Sequence, residues 1–315
     1  SALGDRQGLT SSLATLTLRG PTFQTDTMVS TAGLAEVLQD AESALRIARE
    51  IGHRSDEAYA LFQWGLCLAS QGEYGRALAA ARQSLNIAEE IEHRQWQTAA
   101  HTILGGIYSG LLALPQAREH FEYALTLARE VGSLFWTFMA SGYLATMAIR
   151  QHDLGRAEEV LQATLSPDAP AQTMAQRMLW CASVELALAR RQPTRALEII
   201  DQLLAADVQL AAKQSSLRLL QLRGEALAAL QRAAEAEAAF ETAQEIAETQ
   251  GVRPMQWRMC IALGNLYHAQ KRTSEAEQAF ASARALIEAL AATIADEPLR
   301  CLLYTSDAAD DLTRV

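Results

Sequence analysis

The chain has 315 residues, half of them apolar, with only 7 Pro and 17 Gly, a composition that leans towards helix and supplies ample apolar surface to bury. A net charge of −10 opposes the positive field that a phosphate backbone requires, which argues against direct nucleic-acid binding. No apolar run approaches the roughly 18 residues needed to cross a bilayer, and Cys67, Cys181, Cys260 and Cys301 stand far apart without a CxxC. A reduced, cytoplasmic setting with no membrane association is therefore expected.

In chain order, apolar periodicity predicts helix pairs at 7–19/34–51, 55–70/75–91, 95–110/115–131, 135–150/155–165, 172–190/194–206, 213–230/234–249 and 254–269/274–292. Left-handed caps are expected at Gly52 and Gly132 after second helices, and at Gly72 within a hairpin. The first pair encloses a long surface loop at 20–33 that carries Phe23 and Met28. Pro167-Asp168-Ala169-Pro170 marks a kink at 166–171. The solenoid is expected to fill 1–300. Residues 301–315, beginning Cys301-Leu302-Leu303-Tyr304-Thr305-Ser306-Asp307, break the pattern and read as a translated sequencing adaptor, a disordered tail with no function. With an abrupt start at Ser1 as well, the chain reads as a fragment of a longer protein.

The pairs are copies of one unit. Ala77, Ala117, Ala157, Ala196, Ala236 and Ala276 recur at spacings of 40, 40, 39, 40 and 40. Twelve residues before each stand Gly65, Gly105, Ala145, Val184, Gly224 and Gly264; four after stand Ala81, Phe121, Leu161, Ile200, Phe240 and Phe280. Small residues let two helices approach, and the larger side chain one turn further on fills the space beside the contact.

Leu104-Gly105-x2-Tyr108 with Ala117-x3-Phe121 and Ala124 resembles the tetratricopeptide repeat. So does Leu263-Gly264-x2-Tyr267 with Ala276-x3-Phe280 and Ala283, and Trp180 occupies the place of that family's first-helix Trp. The resemblance covers roughly residues 5–292. It implies an all-α, right-handed solenoid of about seven hairpins whose concave face, lined by first helices, holds a protein or peptide partner. The period of 40 exceeds the family's usual 34, and the Pro that normally closes the second helix is missing. Such long repeats are similar to those of bacterial signal-transduction ATPases, including maltose-regulon-activator-like and cyclase-linked regulators.

No motif for catalysis is found. The six His include no HExxH, and His53 and His93 recur 40 residues apart in a turn, which marks them as repeat features. No GxGxxG or GxxxxGK[ST] occurs, and pairs such as Glu158-Glu159 belong to a solvated helix face. Trp64, Trp96, Trp136 and Trp180 read as packing, so no cofactor, metal or catalytic residue is expected.

The candidate surface is a stripe at positions 2, 5, 9 and 12 of each first helix, counting the packing residue as 8. It comprises Tyr59, Phe62, Leu66, Met139 and Thr146, then Glu185, Arg218, Gln221, Glu225, Arg258, Asn265 and His268. One half is apolar and the other charged. Arg218 and Arg258 share a repeat position, so two guanidinium forks are expected to face one space, free to grip an anion or neutralised by Glu185 and Glu225. Two functions follow: a partner- or inducer-sensing module of a larger signalling ATPase, or a free-standing scaffold or peptide receptor. An enzyme ranks below both, and oligomeric state is not legible.

Overall fold

The computed structural model describes residues 5–21, 30–166, 169–206 and 216–305. The paired elements are α1 (Arg6–Leu16, continued by a 3₁₀ turn at Thr17–Arg19) with α2 (Leu34–Ile51), α3 (Arg54–Gln71) with α4 (Tyr74–Glu90), and α5 (Arg94–Gly110) with α6 (Leu114–Glu130). They continue as α7 (Leu134–Arg150) with α8 (Leu154–Gln162), and α9 (Met174–Ala189) with α10 (Pro193–Ala206). Last come α11 (Leu217–Ala229) with α12 (Ala233–Gln250), α13 (Arg253–Ala269) with α14 (Thr273–Ala291), and a single α15 (Glu297–Thr305). Among the described residues there is no strand, so the fold is an all-α solenoid of seven hairpins.

The repeat register has a direct physical basis. A Cβ added to Gly105 would lie 2.6 Å from Phe121 Cε1, one on Gly224 2.4 Å from Phe240 Cε1, and one on Gly264 2.5 Å from Phe280 Cε1. In these hairpins the ring of the second helix packs close against the bare backbone of the first, leaving no room for a larger residue.

Every tight turn needs one residue in the left-handed region, where glycine is unstrained. Gly52, Gly72, Gly132 and Gly251 supply it with φ of 68°, 86°, 68° and 73°. Leu112, His152, Arg191, Gln231 and Lys271 occupy the corresponding place of later hairpins at φ of 58–62°. The recurring histidines act at the other end of the turn. His53 Nδ1 accepts from the Asp56 N–H and His93 Nδ1 from the Trp96 N–H, both at 3.3 Å, capping α3 and α5. Ser133 Oγ does the same for α7, accepting from Trp136 N at 3.4 Å.

Three segments differ from the sequence reading or fall beyond it. α8 ends at Gln162 rather than 165, with the Thr164 hydroxyl donating to the Val160 carbonyl at 2.7 Å ahead of the Ser-Pro step. α11 starts at Leu217 because Ser216 caps it, its hydroxyl accepting from the Leu219 N–H at 3.3 Å. α15 carries 301–305 in helix, with Leu303 only 2% exposed in the same apolar cluster as Leu299. Phe23, Met28, Pro167, Asp168 and the tail from 306 lie outside the described residues.

The solenoid curls until its second and seventh hairpins touch. Arg253 donates to Glu73 at 2.9 Å, and the Thr293 hydroxyl donates to the Gly72 carbonyl at 3.2 Å. Tyr74 and Leu78 share one apolar cluster with Leu290 and Ile294. Repeat arrays in which each unit touches only its neighbours have no such contact; here it encloses the concave face as a lumen.

Candidate functional site

The first helices α3, α5 and α7 line a cavity of about 800 Å³ towards the N-terminal end of the lumen. Tyr59, Phe62, Leu66 and Met139, all expected from the stripe, face it. Trp96 and Trp136 complete its wall: Tyr59 stacks on Trp96 at 4.6 Å between centroids, and Phe62 meets Trp136 edge-on at 5.9 Å. The Trp96 indole N–H donates to Ser55 Oγ at 2.9 Å, and the His93 ring stacks on Trp96 at 5.2 Å between centroids. Leu16, Leu18 and Phe135 stand exposed at the rim.

One polar group in this wall is only half satisfied. Gln63 is 1% exposed; its Nε2 donates to Tyr59 Oη at 3.0 Å, while its Oε1 is buried without a hydrogen-bond partner. An unpaired buried acceptor carries a desolvation penalty of about 1–3 kcal/mol, recovered when a donor reaches it.

The charged half of the stripe forms a relay. Arg218 is ion-paired to Glu185 on the neighbouring first helix and donates to Gln221 Oε1 at 2.8 Å; Gln221 Nε2 in turn donates to Glu225 at 2.8 Å. Arg218 and Arg258 do border one small space, with Tyr143, Arg150 and Glu185, but it holds only about 10 Å³. Of the two forks, Arg218 is therefore neutralised internally. Arg258 is not: its guanidinium lies 5.4 Å from the Trp257 ring centroid, and among the described residues it forms no salt bridge. Burial, with Arg150 and Arg218 nearby, lowers its pKa to about 9.

Gln221, Glu225, Arg258 and Asn265 face a second cavity of about 540 Å³, and His268 turns to a separate depression of about 260 Å³ beside Phe280. The stripe thus divides between spaces. Trp96 and Trp136, expected as packing, line the aromatic cavity, and so do Gln63 and Tyr143, which lie outside the stripe; the available signal is that the two tryptophans stand 40 residues apart, nine before the packing position.

Burial pushes the Cys67 thiol up to about 12 and those of Cys181 and Cys260 up to about 11, so none is a thiolate at neutral pH. Among the described residues no group of three or more His, Cys, Asp or Glu side chains is placed to hold a metal. No helix among them is long and apolar enough to cross a membrane.

A family model for the tetratricopeptide repeat matches residues 217–250, the sixth hairpin. No curated protein matches the sequence. Among solved structures, the chain is similar to a Rap protein complexed with Competence and Sporulation Factor (TM-score 0.66, 12% identity, covering 82% of this chain and 72% of that one). It is also similar to the apo form of RapI (TM-score 0.58, 14% identity, 81% and 93%). Cut9, in the APC/C hetero-tetramer Cut9-Hcn1, gives a TM-score of 0.58 at 15% identity over 100% of this chain and 57% of that one. At these identities the likeness concerns the fold, an all-α repeat solenoid with a tetratricopeptide repeat at 217–250.

Proposed function

We propose that this solenoid is a receptor for a protein or peptide segment bearing apolar side chains, which it takes into the 800 Å³ cavity. The observation that carries the reading is the aromatic wall of Tyr59, Phe62, Trp96 and Trp136 with one half-satisfied acceptor, Gln63 Oε1, set into it. Apolar area supplies affinity, and a lone buried acceptor fixes where a backbone N–H must come. The Rap protein of the same fold was crystallised with Competence and Sporulation Factor, which supports a receptor reading by fold analogy.

As the finer part of this proposal, the solenoid belongs to a larger cytoplasmic signalling protein and passes occupancy to an attached effector such as an ATPase. A P-loop ATPase encoded upstream in the same gene would support that part, and its absence there would remove it.

The receptor reading is tested by selecting binders from a random peptide library on the full chain, then measuring affinity calorimetrically. Leu66→Trp, which fills the cavity, is expected to abolish binding with little change in melting temperature. Equal binding by that folded variant, or a library with no enriched sequence, overturns the reading.

A further inference from the structure

We propose that the second cavity, between the sixth and seventh hairpins, binds a small apolar zwitterion of amino-acid or dipeptide size, its carboxylate on Arg258 and its ammonium on Glu225. This site is separate from the aromatic cavity and does not depend on what fills that one.

Two opposite charges face one space yet stay apart. Arg258 on α13 and Glu225 on α11 both line the cavity of about 540 Å³, a volume in the ~300–1,000 Å³ range of small-molecule pockets. They form no ion pair with one another, and among the described residues Arg258 has no carboxylate partner at all. Each group senses the other only through space. Two partly buried charges normally pair, because an uncompensated one carries a large desolvation penalty. A ligand with one cation and one anion compensates both together, whereas a neutral ligand compensates neither and an anion or cation only one.

The surroundings define the rest of the ligand. Trp257 holds the Arg258 guanidinium against its ring, fixing the direction of the fork. Gln221 Nε2 occupies one hydrogen-bonding position on Glu225 at 2.8 Å, and burial raises the Glu225 pKa against the opposing pull of Arg218, this hydrogen bond, Arg150 and Arg258. Asn265 adds a neutral donor and acceptor beside the pair. Phe240, Ile261 and Leu266 form an apolar wall, which calls for an apolar side chain between the two charged ends. The nearby Arg218 does not compete for the ligand carboxylate, since Glu185 already holds it.

The test uses the full chain, isothermal calorimetry and thermal shift, with L-leucine, L-phenylalanine and the dipeptide Leu-Leu as probes. Isocaproate lacks the ammonium of leucine, and isopentylamine lacks its carboxylate. At least one zwitterion is expected to bind and raise the melting temperature, with both single-charge analogues weaker by about tenfold or more. Comparing amino acids with the dipeptide distinguishes the two ligand sizes. Glu225→Gln should weaken the zwitterion while sparing isocaproate, and Arg258→Gln should weaken it while sparing isopentylamine. Failure of every zwitterion to bind at millimolar concentration, or equal binding by a single-charge analogue, overturns the proposal. Because the analogue series is run on the unmodified chain, a variant that fails to fold does not blunt the test.

Discussion

Arg253 at the start of α13 donates to Glu73 ahead of α4 across 2.9 Å, joining residues 180 positions apart and closing the solenoid on itself. The ion pair is half-exposed and by itself contributes about 0–1 kcal/mol. The contact also rests on the apolar cluster of Tyr74, Leu78, Leu290 and Ile294 and on a close approach, since a Cβ on Gly75 would lie 2.4 Å from the Thr293 carbonyl oxygen. Gly75→Val is expected to lower stability by about 1–3 kcal/mol and to enlarge the radius of gyration in small-angle scattering. A variant as compact and as stable as the parent would show that the contact does not hold the ring shut.

The packing of Gly105 against Phe121 sets a second expectation. Gly105→Leu drives a branched side chain into the ring and should destabilise by about 1–3 kcal/mol or more. Gly105→Ala combined with Phe121→Leu should recover part of the loss of Gly105→Ala alone, since the pair shares one contact. Denaturant titration of the four proteins reads the coupling; strictly additive effects would separate the two residues.

Lys271 holds a left-handed conformation at φ 62° in an exposed turn. Lys271→Gly relieves that strain and should stabilise by about 0.5–1 kcal/mol. Gly72→Ala should do the opposite, as φ there is 86° and the new Cβ would sit 2.1 Å from Leu290 Cδ2. Melting temperatures moving in the same direction for both would count against this account of the turns.

His101 and His120 stand with Nδ1 atoms 2.9 Å apart, between Tyr108 and Tyr123, with Arg82 and Glu119 as the charged neighbours. Burial, then proximity to His120, lowers the His101 pKa from the ordinary 6.5 to about 4, and burial lowers His120 as well. Because the folded pKa is depressed, the unfolded chain takes up the proton first as pH falls. The stabilisation is therefore complete above pH 6.5 and is lost between there and about 4. On the order of 2 kcal/mol is at stake after allowing for partial solvent access. His101→Gln should flatten the stability profile over that window, while an unchanged slope would place the acid sensitivity elsewhere.

The repeat was legible because it is local. Gly105 and Phe121 are 16 residues apart, the left-handed caps at Gly52, Gly72 and Gly132 lie where turns had to fall, and helical geometry alone put Tyr59, Phe62 and Leu66 on one face. The tail was less legible, since Leu303 gains its place only by packing on an apolar cluster built from distant hairpins.

What the pattern of residues determined by itself was the hairpin: its period, its close helix contact and the shared face of Tyr59, Phe62 and Leu66. What only the tertiary structure decided was how those stripes meet. The rotation from one hairpin to the next is small and accumulates over seven units, so no local spacing encodes that Glu73 will reach Arg253 or that the lumen will divide at Tyr143 and Arg258. Arg218 with Glu185 and Arg258 with Glu225 hold the same two repeat positions on adjacent first helices, yet the first pair closes and the second borders an open cavity, a difference that the repeat spacing does not encode.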